Sequence, residues 1–202
     1  MKLAIRGIGV VGGFGNGIGD LEQALINPSL PHETPLPCDL PCPHKYKIFS
    51  AKTERLKEFI PKKALRRMDH FSRMAVLAAC FALLDAGAPF SLGYRTGVIV
   101  ASGYGSARAT FAFLDSVMEH GDRCGSPIHF SNSVHNSAAA HLSIALEGFG
   151  PNSTISLLDM SIPAAFLLAE VWLSEGRVES VLIGGVDEHC PVLEYCWSRL
   201  FD

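Results

Sequence analysis

The 202-residue chain has no apolar run long enough to cross a bilayer. The longest near its middle, Met74 to Leu84, falls well short of the roughly 20 residues that a spanning helix needs. The apolar residues at the N-terminus are interrupted by Gly7, Gly9, Gly12, Gly13, Gly15, Gly17 and Gly19, which is unlike the continuous hydrophobic segment of a secretory leader. Charge is also sparse. Asp, Glu, Lys and Arg make up 18% of the residues and the formal net charge is -3. A balance so close to neutral does not fit a protein devoted as a whole to nucleic acid or to a membrane surface. Internal repeats and low-complexity tracts are missing as well. The chain is therefore expected in the cytoplasm, where its six cysteines have no need to pair as disulfides.

What is present is globular. Hydrophobic residues account for 48% of the chain, enough for one domain over residues 1–202 with a sizeable core. Leu3-Ala4-Ile5 reads as a short buried strand running into a glycine loop. Asp20 is placed to cap a helix from Leu21 to about Ile26, stopped by Asn27-Pro28. Pro28, Pro31, Pro35, Pro37, Pro41 and Pro43 mark residues 28–44 as an extended surface loop.

Beyond that loop the periodicity alternates. Asp69 to Ala86 repeats apolar residues at three- and four-residue steps, with Gly87 as its stop and Cys80 as a small core residue. Residues 97–101 read as a buried strand ending at Ser102-Gly103. Ser106 to His120 and Ala138 to Leu146 read as helices, with a strand at Thr154 to Leu158 after them. Pro163 fits the first turn of a helix running to about Glu175. A last strand, Val181-Leu182-Ile183, ends at Gly184-Gly185. Continuous apolar strands alternating with helices predict an α/β fold whose central sheet is covered by helices on both faces.

Two ligand patterns fail on closer reading. Gly7-x-Gly9-x-x-Gly12 matches a dinucleotide fingerprint, but that motif needs a helix opening at once within the glycines and an acidic residue about 20 positions on. Here four more glycines follow, and the proline-rich segment stands where the acid is required. The glycines read instead as a tight loop. Cys38-x-x-x-Cys42 with His44 invites zinc, but a second ligand pair is missing. No cofactor and no metal are expected.

Five stretches, taken together and in order, resemble the N-terminal half of the β-ketoacyl synthase family, which has the thiolase-like fold. They are Ile5-Arg6-Gly7-Ile8-Gly9-Val10-Val11 followed by Gly15-Asn16; Leu65-Arg66-Arg67-Met68-Asp69-His70-Phe71 leading to Asp85-Ala86-Gly87; Ser126-Pro127 through His135-Asn136-Ser137-Ala138-Ala139-Ala140-His141-Leu142-Ser143-Ile144; Gly150-Pro151-Asn152-Ser153-Thr154-Ile155-Ser156; and Val181-Leu182-Ile183-Gly184-Gly185-Val186-Asp187-Glu188. The resemblance implies a thiolase-like half with a mixed central sheet.

It also implies a departure. Where the family has threonine-alanine-cysteine-alanine-serine-glycine, this chain has Leu157-Leu158-Asp159-Met160-Ser161-Ile162. Asp159 thus takes the position of the nucleophilic cysteine. A thiolate there is favoured by the positive end of its helix and attacks an acyl thioester. A carboxylate gains from the same field but attacks thioesters poorly, so Asp159 reads as a helix cap or a pseudo-active-site residue. Ile162 and Pro163 replace a small residue and put the tight turn in question. The family's two catalytic histidines lie in a second half. His135 and His141 precede the nucleophile strand and do not match them, and His141 reads as a packed helix residue. Trp172, Phe166, Leu167 and Leu168, on the helix after Asp159, read as core.

The basic stretch Lys62, Lys63, Arg66 and Arg67, with Arg73 nearby, lies where related synthases contact the acidic acyl carrier protein, an encounter suited to electrostatic steering. A half-fold also leaves a helix layer without cover, which implies a homodimer, or a complex with a ketosynthase or with a separately encoded second half. The expected function is a non-condensing, chain-length-factor-like subunit of fatty-acid or polyketide-type biosynthesis. The alternatives are half of a split ketosynthase or thioester-processing enzyme using Asp159, and a scaffold that binds acyl carrier protein.

Overall fold

The computed structural model describes residues 3–27 and 49–200. In chain order, β1 (Val11–Gly12) and β2 (Gly15–Asn16) form a small antiparallel ladder, followed by α1 (Ile18–Ile26). A 3-10 turn at Glu54–Glu58 and the short α2 (Lys62–Leu65) lead into α3 (His70–Asp85). Then come β3 (Thr96–Ala101), α4 (Ala107–His120), α5 (Pro127–Ser133) and α6 (Ser137–Ala145). β4 (Asn152–Ile155), α7 (Ser161–Ser174), β5 (Ser180–Gly185) and α8 (Pro191–Leu200) complete the described chain.

The larger sheet has the order β4-β3-β5 and is parallel in both pairings, with Val98 opposite Asn152 and Leu182. Its middle strand is apolar on both faces because both faces are covered. Val98 and Val100 join Phe71, Leu77 and Cys80 of α3 and Ala138, Ala139 and Leu142 of α6. Ile99 and Ala101 face the opposite way, onto Ala165, Ala169 and Trp172 of α7. Trp172 lies over Gly97, where an added Cβ would sit 2.8 Å from its Cε3. Burial pushes the Cys80 thiol up to about 12, in keeping with the core role read from its helical pattern.

α3 begins and ends as its sequence predicts. The Asp69 side chain accepts from Ser72 N at 3.0 Å. Gly87 takes φ +59, while the N–H of Ala88 returns to Leu83 O at 2.9 Å, closing the helix end.

Several expectations are corrected. Leu3-Ala4-Ile5 forms no strand and is exposed. The segment instead runs along α3: a Cβ at Gly7 or Gly9 would collide with the carbonyls of Ala82 or Ala78. A cavity of about 280 Å³, lined in part by Met74, Ala75 and Ala78, lies between Gly9–Val11 and Gly185–Asp187. α1 starts at Ile18 behind Gly17, and Asp20 does not cap it. The Asp20 carboxylate accepts from Asn16 N at 2.7 Å, back across the glycine loop. The sheet is not mixed within the described residues, antiparallel pairing being confined to β1 and β2. The proline-rich loop 28–44, and with it Cys38, Cys42 and His44, lies outside the described residues.

Replacing Trp172 with alanine removes the largest side chain packed against the outer face of β3. It is expected to lower stability by about 3–5 kcal/mol. Urea unfolding of the two proteins measures this, and a loss below about 1 kcal/mol would contradict the packing described.

Candidate functional site

The C-terminal ends of β3, β4 and β5 converge at one pole of the sheet, where open parallel sheets usually hold their ligands. Three loops meet there: Ser102–Ser106 after β3, Ser156–Met160 after β4, and Val186–Glu188 after β5. Parallel strands end without neighbours for their last backbone groups, so side chains must satisfy them.

Asp187 does this for the loop after β3. Its carboxylate accepts from Ser102 Oγ at 2.8 Å, from Gly103 N at 3.0 Å and from Tyr104 N at 3.0 Å. Ser102 Oγ in turn accepts from Gly105 N at 2.8 Å. Ser161 does the same for the loop after β4. Its buried hydroxyl accepts from Leu157 N at 2.8 Å and lies 2.9 Å from Ser102 O and 2.7 Å from Leu158 O, one of which takes its proton. Tyr104 meets Trp197 of α8 edge-on, 5.5 Å between ring centroids, which flanks the pole on one side.

The turn into α7 depends on Leu158, a bulky residue held at φ +49, a conformation such side chains seldom adopt. Asp159 follows it, in a 3-10 turn over Leu158–Met160, with an exposed side chain. Capping by Asp159 is not found. α7 starts at Ser161, its N-cap is Met160, and no side chain bonds to the cap. Asp159 stands one residue too early for that role. The tight turn is nevertheless made despite Ile162 and Pro163. Gly185 leaves room for Ile162, whose Cδ1 would lie 2.6 Å from a Cβ at that glycine.

The helix after Asp159 is not wholly core. Ala165, Ala169 and Trp172 are buried, but Phe166 is 47% exposed and Leu167 65% exposed. Leu157, Leu158, Met160, Ile162 and Val171 are exposed too, so an apolar strip runs from the turn along the outer side of α7. Leu168 does pack partly against the outer core.

The other residues read from sequence lie elsewhere. His141 is part-buried, with Nε2 2.9 Å from Asn132 Oδ1, and burial pushes its pKa down. It is a packed helix residue, as read from sequence. His135 is exposed and its ring rests against Gly105. Lys62, Lys63, Arg66 and Arg67 are all exposed and enter no ion pair among the described residues. Two bonds to backbone hold this basic surface in place: Arg73 donates to Leu65 O at 2.7 Å, and Asn132 donates to Arg67 O at 3.0 Å. Arg73 is therefore a brace for the cluster. Among the described residues no three of His, Cys, Asp and Glu gather as a metal site.

Sequence reading missed the structural partners Ser102, Ser161 and Asp187. It also missed a second set in which Glu188 contacts His70 and Arg108. The available signal was Gly184-Gly185-Val186-Asp187-Glu188 at a strand end opposite Ser102-Gly103, where acids and glycines meet exposed backbone groups.

The description "Beta-ketoacyl synthase, N-terminal domain" matches residues 41–197. Among curated proteins, the 3-oxoacyl-[acyl-carrier-protein] synthase 2 of Vibrio harveyi is 29% identical over 133 residues, covering 65% of this chain and 32% of that protein. The enzyme of the same name from Staphylococcus aureus is 29% identical over 157 residues, covering 73% and 38%. The chain thus spans about a third of the length of these relatives. Among solved structures, "The ishigamide ketosynthase/chain length factor" superposes with a TM-score of 0.81 at 20% identity, over 98% of this chain and 56% of that one. A ketosynthase in complex with its chain length factor from Xenorhabdus doucetiae superposes at 0.67 and 17% identity, over 100% and 73%. The fold is that of thiolase-like ketosynthases, as the sequence resemblance implied.

Substituting Asp187 with alanine leaves the N–H groups of Gly103 and Tyr104 without their acceptor. The expected loss is about 1–2 kcal/mol, limited by the site's exposure. It should come with faster amide exchange at these two residues; unchanged exchange would show that Asp187 does not hold the loop.

Proposed function

Because the chain belongs to the β-ketoacyl synthase family, matching its N-terminal domain, we propose that it is a non-condensing subunit of fatty-acid or polyketide-type biosynthesis. It would partner an active synthase in the manner of a chain length factor. What supports this reading is Asp159, an exposed carboxylate at the turn into α7 that the sequence resemblance sets against the family's cysteine. Condensation begins with a thiolate that accepts the acyl group. An aspartate in its place would form a mixed anhydride, more reactive than the thioester it came from. Among the described residues no thiol stands in this turn: Cys80 and Cys190 are buried, Cys124 lies beyond α4, and Cys196 is on α8.

The partner surface is the apolar strip along α7. Phe166, Leu167 and Val171 are exposed on a helix whose opposite side is already buried. An exposed strip of this kind on an ordered helix is typical of a protein interface. Its occupant in this reading is a ketosynthase or a second copy of this chain. The cluster Lys62, Lys63, Arg66 and Arg67 supports an additional contact with acidic acyl carrier protein, because its charges are exposed and unpaired among the described residues.

The exposed carboxylate also favours a second reading, in which the chain is half of a split enzyme and Asp159 takes part in acyl-thioester processing within a complex. The two readings diverge on Asp159→Ala. In the first, the reconstituted synthase complex keeps its condensation rate and only product length changes; in the second, activity falls by roughly a hundredfold or more with assembly intact.

Two further tests address the surfaces. Leu167→Asp is expected to weaken association with the synthase at least about tenfold while the circular dichroism spectrum stays native. Wild-type-like affinity would remove the α7 interface. Arg66→Glu with Arg67→Glu is expected to weaken carrier-protein binding about tenfold at low salt and less at high salt. Unchanged binding in a titration of purified proteins would exclude the basic cluster from that contact.

A further inference from the structure

His70, at the first position of α3, sits between two hydrogen-bond acceptors. Its Nδ1 lies 2.9 Å from Glu188 Oε1, and its Nε2 lies 2.9 Å from the carbonyl oxygen of Ala51. A neutral imidazole carries one N–H, so either neutral tautomer sets a ring lone pair against an acceptor. Only the imidazolium donates to both. Glu188 is buried and is shared: Arg108 NH1 of α4 approaches the same Oε1 at 3.2 Å. The ring therefore ties together three parts of the chain that are distant in sequence.

We propose that the imidazolium of His70 is a proton-operated clasp, closed when both ring nitrogens carry hydrogen and released when one is lost, that fastens the segment around Ala51 to the residues following β5. Release is local because Arg108 remains beside Glu188, so the buried carboxylate is not left alone. The freed group is the carbonyl of Ala51, which gains water once the segment moves. Closure bears on the candidate site because Glu188 adjoins Asp187, whose carboxylate holds the Ser102–Tyr104 loop.

The groups that face the ring are few. Glu188 comes from the segment after β5, Arg108 from α4, and the Ala51 carbonyl from the segment before the 3-10 turn. Asp69, next to His70 in sequence, accepts from Ser72 N at the helix start. Cys190, which feels both Glu188 and Arg108, has a thiol pushed up by burial and adds no charge near neutrality. The bond to Glu188 raises the His70 pKa above the ordinary 6.5, the Ala51 carbonyl adds to this, and burial and Arg108 oppose it. A raised folded-state pKa stabilises the folded chain fully below pH 6.5. The contribution is lost as pH rises from there through the folded value.

The test is nitrogen-15 NMR of the imidazoles in the full chain, titrated from below pH 6.5 upward. The expected result is a His70 ring protonated at both nitrogens at the start and titrating above that value. The carbonyl carbon shift of Ala51 should move with the same midpoint. His70→Gln should abolish the Ala51 midpoint. Between pH 6.5 and the wild-type midpoint, the unfolding constant of the native chain should rise, approaching tenfold per unit by which the folded pKa exceeds 6.5. A His70 ring that titrates at or below 6.5, or an Ala51 shift that ignores the His70 midpoint, overturns the clasp. Both readouts come from the wild-type chain, so they decide the matter even if the variant does not fold.

Discussion

The pole of this molecule depends on the carboxylate of Asp187. Three parallel strands stop together there, and beyond the last backbone bonds, Ser102 N to Ile155 O and Val186 N to Ala101 O, the loop groups need other partners. Asp187 gathers the donors of the loop after β3, and the Ser161 hydroxyl lies between the loop after β4 and the first carbonyl of that β3 loop. Leu158 is held at φ +49 between them. Strain of that kind persists only where surrounding bonds over-determine the backbone, and the Ser161 hydroxyl bonds on either side of Leu158. The outcome is a rigid turn that presents Asp159 to solvent at the start of α7.

α7 connects this turn to the rest of the fold and also shows what the fold lacks. One side of the helix carries Ala165, Ala169 and Trp172 against the sheet. The other side carries Phe166, Leu167 and Val171, which no described element covers. An ordinary surface helix is polar on its outer side. A helix apolar on both sides belongs between two layers, and among the described residues only one of those layers is present. The uncovered strip and the exposed Asp159 are the two observations on which the proposed partner role rests. The basic cluster near α2 is a second, polar surface, braced from behind by Arg73 and Asn132.

Much of the fold was legible in the residues. The helical pattern from Asp69 with its stop at Gly87, the buried strand at residues 97–101 and the helix through Pro163 all follow from local rules, because each depends on a few neighbouring residues. The order of five family-like stretches gave the half-fold that the matched domain and the solved neighbours bear out. The misreadings have a common cause. Leu3-Ala4-Ile5 has the composition of a strand, but a strand needs a partner at its side, and among the described residues no strand pairs with it. Phe166 and Leu167 have the composition of core, but no layer among the described residues lies over them. Asp20 and Asp159 have the chemistry of caps, but each is displaced from the helix start that local sequence suggested.

Sequence alone determined the alternation of the main helices and strands after the proline-rich segment and the family that the chain resembles. These are carried by short-range periodicity, turn chemistry and the order of motifs, all of which survive in one dimension. Tertiary structure alone decided that Asp187, Ser102 and Ser161 stitch the pole, that His70 lies between Glu188 and Ala51, and which side of α7 is bare. Those facts join residues far apart in the chain. They arise only when parallel strands bring their ends together and the backbone groups left there must find partners.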